Sequence, residues 1–312
     1  MLNLIRNEWM KIMYRKATYV MMGLLLLAVI GVGIIFKINE PDMSHNDWRT
    51  SLEQENAQLT VRLNESEYEG EQQYLKEQIA INTYRLEHDL SPNDFSSLQF
   101  VKEMTVLTEI IGLFMIVVAA GSVANEFNWG TIKLLLIRPI RRWKILVSKF
   151  ITVVCFGLFM LVILLASTYV VGAILFGFGS GPHVHLSYVD GEVVSSNLIV
   201  HIVKTYLLES IDLFMLSTMA FMISTVFRSA SLAIGIAMFL LFTGSTATVF
   251  LAQKYSWTKY LLFANMDLTM YERGTPLVEG MTLPFSITVL IIYFVVFQLV
   301  AFLVFAKRDV AA

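Results

Sequence analysis

The sequence predicts an all-α membrane protein with six transmembrane helices, on three observations. Six apolar runs reach the roughly 20 residues that a helix needs to cross a bilayer. The basic residues between them gather on alternate connections. The composition suits a chain in lipid, at 56% hydrophobic and 15% charged with a mean hydropathy of +0.64, where soluble domains average about 45–50% apolar and about 25% charged residues.

The N-terminal "MLNLIRNEWMKIMYRK" places Leu2, Ile5, Trp9, Ile12 and Met13 on one helical stripe, with Asn3, Arg6, Lys11 and Arg15 off it. A basic amphipathic helix with a tryptophan on its apolar side suits a membrane surface, so an interfacial helix using Trp9 and Lys11 is expected. The first apolar run, 17–36, is longer than a signal-peptide core and no small-x-small cleavage site follows it; it reads as a retained span. Residues 1–36 are thus an interfacial helix plus span one. Residues 37–103 form an extracellular helical insertion, and 104–312 hold the other five spans, at 104–124, 146–176, 205–227, 230–251 and 284–306.

Charge sets the orientation, because Lys and Arg of short loops stay cytoplasmic. The N-terminus carries four basic residues against Glu8. The 125–149 loop carries Lys133, Arg138, Arg141, Arg142, Lys144 and Lys149 against Glu126; Arg228 marks the tight turn between spans four and five, and Lys307 and Arg308 follow span six. Residues 37–103 hold six basic and fourteen acidic residues. Both termini are therefore expected in the cytoplasm.

Within the insertion, Leu52, Leu59 and Leu63, then Leu75, Ile79, Asn82 and Leu86, make two short heptad-like seams divided by Gly70. Such seams predict an antiparallel helical hairpin, ended by Pro92 and Asn93. The 252–283 segment mixes Tyr, Trp and Phe with few charges and is expected along the outer leaflet. Cys155 lies in an apolar run with no second cysteine, which excludes an internal disulfide.

Three acids fall within predicted spans: Glu109 in the second, Glu209 and Asp212 in the fourth. Glu209 and Asp212 are three apart and share a helix face. An acid at mid-bilayer costs about 2.5–3.5 kcal/mol on insertion scales and faces protein or water. Either these are shallow acids reaching the outer headgroup region or pairing with Lys102 and Lys204, or they line an outer vestibule favouring a cationic substrate. Ser217, Thr218, Ser224 and Thr225 suit close helix packing. His183 and His185 lack a nearby third ligand, so no metal site is expected.

The stretch "NEFNWGTIKLLLIRPIRRWKILVSKF" puts Trp129, Ile132, Leu135 and Leu136 on one face of a short helix bounded by Gly130 and Pro139, followed by a basic cluster with Trp143. On physics alone this is a membrane-surface helix or a partner-docking site. It resembles the signature of ABC-2 type permeases, the membrane subunits of ATP-binding-cassette exporters: Glu126, Gly130, Thr131, Pro139, Arg141 or Arg142, and Lys149 match in order. "LIRNEWMKI" is similar to that family's opening surface helix. The resemblance implies that the loop, at about 125–145, is a cytoplasmic coupling helix seated in a separate ATPase subunit, with Glu126, Gly130, Thr131, Arg138, Pro139 and Arg141 at the contact. It also implies a second permease subunit, as homodimer or heterodimer, and a bacterial plasma membrane.

No catalysis by the chain itself is expected. It has no GxxxxGK[ST] phosphate loop, no HExxH and no GxSxG, so ATP and Mg²⁺ would be bound by the partner ATPase and no cofactor by this chain. Membrane lipid is an expected partner and nucleic acid is not. The cargoes such permeases carry include antimicrobial peptides, drugs and lipid-like molecules. The alternative is a membrane-anchored sensor or assembly protein whose outer helical domain binds a ligand without transport.

Overall fold

A computed structural model describes residues 1–39, 48–92, 95–131, 140–179, 183–189, 191–272 and 274–307. Helix α1 is Leu2–Met13, α2 is Lys16–Ile38, α3 is Trp48–Glu65 and α4 is Glu69–His88. Helix α5, Ser97–Glu103, runs through a 3₁₀ turn into α6, Thr108–Asn128. Helix α7 is Arg142–Phe176, α8 is Leu198–Phe227, α9 is Ala230–Ala252 and α10 is Leu283–Lys307. Six helical stretches, α2, α5–α6, α7, α8, α9 and α10, are long and apolar enough to cross a membrane. The chain is a helical multi-pass membrane protein.

Spans two and four begin about seven residues earlier than hydropathy places them. The reason is capping. Ser96 Oγ accepts from Gln99 N (3.4 Å), and Asn197 Oδ1 accepts from Ile199 N (2.9 Å) and Val200 N (3.3 Å). An N-cap side chain satisfies amide donors that the helix leaves free, so it marks the start whatever the polarity of the first turn. Between α8 and α9 only Arg228 and Ser229 intervene; Arg228 takes the left-handed conformation (φ 55°) and Ser229 Oγ caps Leu232 N.

Helices α6 and α8 form the buried centre, while α2, α9 and α10 leave most of their apolar surface on the outside. Close approach of α6 to α8 depends on small residues. A Cβ on Gly112 would meet Leu213 at 3.2 Å. Ser224 Oγ donates to Ala120 O (2.5 Å) and accepts from Ala124 N (3.2 Å), so a small hydroxyl sits directly in the helix interface. Phe150 of α7 meets Phe214 and Phe221 of α8 and Phe294 of α10 at centroid distances of 5.8, 5.4 and 6.1 Å.

The two ends of the bundle differ. At one end, here the terminal face, lie α1, residues 126–131 and 140–149, and the end of α10, where Arg142 Nη1 donates to Ala306 O (3.2 Å). At the other, the hairpin face, lie the α3–α4 pair, a β-ribbon and the 253–282 connection. Helices α3 and α4 run antiparallel, closed by Arg49 Nη2 and Asp89 Oδ1 at 2.6 Å. Their break falls at 66–68 rather than at Gly70, which sits in the first turn of α4. Side chains make the turn: Ser66 Oγ donates to Glu71 Oε2 and Gln72 Nε2 to Ser66 O, both at 2.7 Å. Helix α4 ends at His88, with Asp89 in the left-handed conformation; Pro92 lies beyond it and Asn93 lies outside the described residues.

Beside the helices, one connection carries a short β-ribbon. Strands β1, Val184–Val189, and β2, Glu192–Asn197, pair antiparallel with Val184 opposite Asn197. The run "VHLSYV" is β-prone and turns back at Gly191 (φ 91°), a hairpin signal that reading for spans alone overlooks. The 253–282 connection is a built cap with three 3₁₀ turns. Buried Asn265 donates to Lys259 O and Leu261 O, both at 2.8 Å, and accepts from Ser286 Oγ at 2.6 Å.

Candidate functional site

Two clusters of ionisable side chains stand out, one at each end of the bundle. At the terminal face, Glu8 and Lys11 are one turn apart on α1, Glu126 lies near the end of α6, and Lys149 lies in the second turn of α7. Lys11 Nζ reaches Glu8 Oε1 at 2.9 Å and Glu126 Oε1 at 2.7 Å. Lys149 Nζ reaches Glu8 Oε2 at 2.7 Å and Glu126 Oε1 at 3.0 Å. Thr131 Oγ1 donates to Glu126 Oε2. Two ammoniums and two carboxylates therefore close a neutral, mutually bonded set, and every carboxylate oxygen in it accepts a hydrogen bond.

Lys149, with its side chain 1% exposed, could not be charged there without both acids. Burial works against the charge on Lys11, but its bonds to Glu126 and Glu8 outweigh burial and raise its pKa. The set ties α1 to both ends of the 126–149 connection. Thr18 Oγ1, donating to Ile12 O at 2.6 Å, ties α2 to α1 as well.

This placement revises several sequence expectations. Glu126 is buried and bonded to Lys11, Lys149 and Thr131. Lys11 Nζ is held by Glu8 and Glu126, with its side chain partly exposed. Trp9 packs edge-on against Phe159 of α7 (5.6 Å), so α1 lies against the bundle as well as carrying an exposed Leu2. Trp129 does not open a separate helix: α6 runs on to Asn128, Trp129 is its C-cap, and Gly130 follows in the left-handed conformation (φ 69°) with its N–H on Phe127 O. Gly is the residue that adopts this conformation without a Cβ clash. Trp129 and Arg141 are exposed, and Arg15 lies over the Trp129 ring at 5.6 Å. Arg138, Pro139 and the expected helix over 132–139 lie outside the described residues. Glu8, the acid in a basic N-terminus, was missed as a functional residue; its spacing of three from Lys11 was the available signal.

At the hairpin face, a cavity of about 960 Å³ opens between α6, α8, the ribbon and the 253–282 cap. Glu109, Glu209 and Asp212 all line it, together with Asp267 and Glu272 from the cap, and Lys102 and Lys204. Lys204 Nζ is 2.8 Å from Glu272 Oε1, and Lys102 Nζ is 3.2 Å from Glu103. Thus the pairing expected of these lysines with Glu109, Glu209 or Asp212 is replaced by pairing with other acids. Thr108 Oγ1 donates to Glu209 Oε2 at 3.5 Å. Asp212 Oδ1 is buried with no hydrogen-bond partner among the described residues.

The rings of His185, on β1, and His201, on α8, stack at 3.6 Å and 17° on the cavity wall. Burial, then His201 and Lys102, push the His185 pKa down to about 3, so its imidazole is neutral at ordinary pH. The partner of His185 is thus His201, sixteen residues on, and not His183. Among the described residues no three His, Cys, Asp or Glu side chains group to hold a metal ion. His201, Asp267 and Glu272 were missed in the sequence because each belongs to an element whose fold, not its spacing, turns it inward.

Comparison with known proteins adds relatives. The chain is 48% identical to the uncharacterized protein YhcI of Bacillus subtilis (strain 168) over 316 residues, covering 100% of both chains. It is 33% identical to the uncharacterized membrane protein YdbK of the same organism over 223 residues, covering 70% of this chain and 84% of that one. A family profile matches residues 74–311, from within α4 to beyond α10. The chain therefore belongs to the family described as protein of unknown function (DUF2705).

Proposed function

We propose that this chain is the membrane-spanning permease subunit of an ATP-binding-cassette exporter in a bacterial plasma membrane. In this reading the terminal face is cytoplasmic, the hairpin face is outside, and the chain itself is not catalytic. A separate ATPase subunit binds ATP and Mg²⁺ and docks on the 126–149 connection, and a second permease subunit completes the transporter.

The observation that carries the reading is the four-charge clasp. A connection that only joined two spans would have no need of roots in a buried charge set at both ends. A connection that receives force from a partner needs them, because force is passed on only through groups that do not yield locally. With Glu126 and Lys149 bonded to α1, displacement of the loop moves α1, α6 and α7 together. Exposed Trp129 and Arg141, and the basic run through Arg138, supply the contact surface, while Glu126, Gly130 and Thr131 shape it. The basic terminal face agrees with a cytoplasmic location by the distribution of Lys and Arg.

The test is affinity purification of the full chain from bacterial membranes in mild detergent, identifying what travels with it. The expected result is a co-purifying phosphate-loop ATPase that is lost in an Arg138→Glu, Arg141→Glu double variant at unchanged membrane level. If no ATPase accompanies the chain while other membrane complexes survive the same conditions, the reading is overturned and an anchored sensor takes its place.

A further inference from the structure

The cavity on the hairpin face has the chemistry of a binding site for an organic cation. Its lining contributes five carboxylates, from Glu109, Glu209, Asp212, Asp267 and Glu272, and two ammoniums, from Lys102 and Lys204. Both ammoniums already face acids, Glu272 at 2.8 Å and Glu103 at 3.2 Å. The His185 imidazole does not offset the excess, since burial keeps it neutral. Among the described residues the lining thus holds more acidic than basic side chains inside a concave wall, where low-dielectric surroundings strengthen attraction for a counter-charge.

One atom gives the site a focus. Asp212 Oδ1 is buried yet has no hydrogen-bond partner among the described residues, although it belongs to a cavity-lining side chain. A buried polar atom left without a partner is costly to the fold, and a donor entering from the cavity would recover that cost. Glu209, Asp267 and Glu109 line the same cavity as Asp212, and acids gathered in one concave site favour a positively charged donor over a neutral one.

The rest of the wall decides between kinds of cation. No group of three metal-ligating side chains is present among the described residues, and a hard divalent ion takes about six or more oxygen ligands. By contrast, Val106, Leu208, Met266 and Leu268 give the cavity an apolar side. Its volume of about 960 Å³ is at the upper end of the roughly 300–1,000 Å³ of small-molecule pockets.

We propose that this cavity binds an amphiphilic amine or guanidinium compound, with the cationic group on Asp212 and Glu209 and the apolar part against Val106 and Leu208. The binding stands on the cavity alone; that the bound compound is the cargo rests on the permease reading.

The test is a fluorescence titration of the full chain, in phosphatidylcholine nanodiscs, with dansyl-labelled trilysine, against dansyl-labelled triglutamate and empty nanodiscs. The expected result is saturable binding of the trilysine probe only, weakened at least tenfold by Asp212→Asn and at least threefold by Glu209→Gln. Glu279→Gln, on the exposed cap outside the cavity, should leave it unchanged. Competition by spermine or by unlabelled trilysine then separates a free polyamine from a peptide.

Trilysine binding no tighter than triglutamate, or unaffected by the cavity variants, overturns the site. Displacement of the probe by micromolar Ca²⁺ overturns the organic class of ligand. Should Asp212→Asn fail to fold, Glu209→Gln decides by itself. The titration contains no ATPase, so its failure and a failed co-purification are separate results.

Discussion

The two ends of the bundle use charge in opposite ways. At the terminal face, Glu8, Lys11, Glu126 and Lys149 close around a void of only about 10 Å³, and each carboxylate oxygen accepts a hydrogen bond. At the hairpin face, five acids line about 960 Å³ of open space and Asp212 Oδ1 has no partner among the described residues. A saturated charge set has nothing left to offer a ligand and acts as a joint. A set that keeps one buried acceptor atom without a partner among the described residues can still recognise a donor. Charged residues in a membrane protein thus divide by whether their hydrogen bonds are already complete.

That contrast predicts where substitutions should hurt. Lys149→Met strands two buried carboxylates beside a single ammonium, and breaking a buried pair in this way costs about 3–5 kcal/mol. A large fall in apparent melting temperature and in membrane level is expected, measured by thermal aggregation in detergent. Asp212→Asn should leave the melting temperature unchanged or raise it. Equal losses in the two variants would break the distinction between joint and site.

Ser224→Ala probes the neutral counterpart of the clasp, the hydroxyl wedged between Ala120 O and Ala124 N. Its loss should cost about 1 kcal/mol, seen as a smaller shift in the same assay. No shift would mean that packing alone holds α6 to α8.

Acidification sharpens the comparison from the other end. The His185 imidazole is held near pKa 3 by burial, whereas an unfolded ribbon would titrate near 6.5. As pH falls below about 6.5 the open form takes up the proton first, so the stability of the folded ribbon declines towards pH 3. Hydrogen exchange of residues 184–197, corrected for intrinsic rates, should show about threefold or greater loss of protection between pH 7.5 and pH 5. His185→Phe should abolish that change. The smallest effect belongs to Lys204→Met: this lysine is 61% exposed beside Glu272, and such pairs contribute about 0–1 kcal/mol.

Much of this was legible in the chain itself. The apolar runs announced the six long helices, because length and composition suffice to exclude water from a helix surface. The spacing of Glu209 and Asp212 put both on one face, and the structure brings both to one cavity with Glu109. Ser224 was readable as a packing residue, since small hydroxyls let helices approach. Helix starts were less legible, for Ser96 and Asn197 act through single hydrogen bonds that hydropathy does not register.

What the sequence determined by itself is local: which segments are apolar for long enough, where Gly130 and Gly191 must turn the chain, and which connections are basic. These follow from each segment's own chemistry. The tertiary structure decided which charges meet. Lys149 finds Glu8 across 141 positions, and His185 stacks on His201. Whether a charged group becomes a joint or a site depends on the partners that other helices bring within about 3 Å, because the low dielectric around buried groups makes those short contacts dominate. No spacing along the chain encodes such meetings, which is why the clasp of Glu8, Lys11, Glu126 and Lys149 could not be read from the sequence.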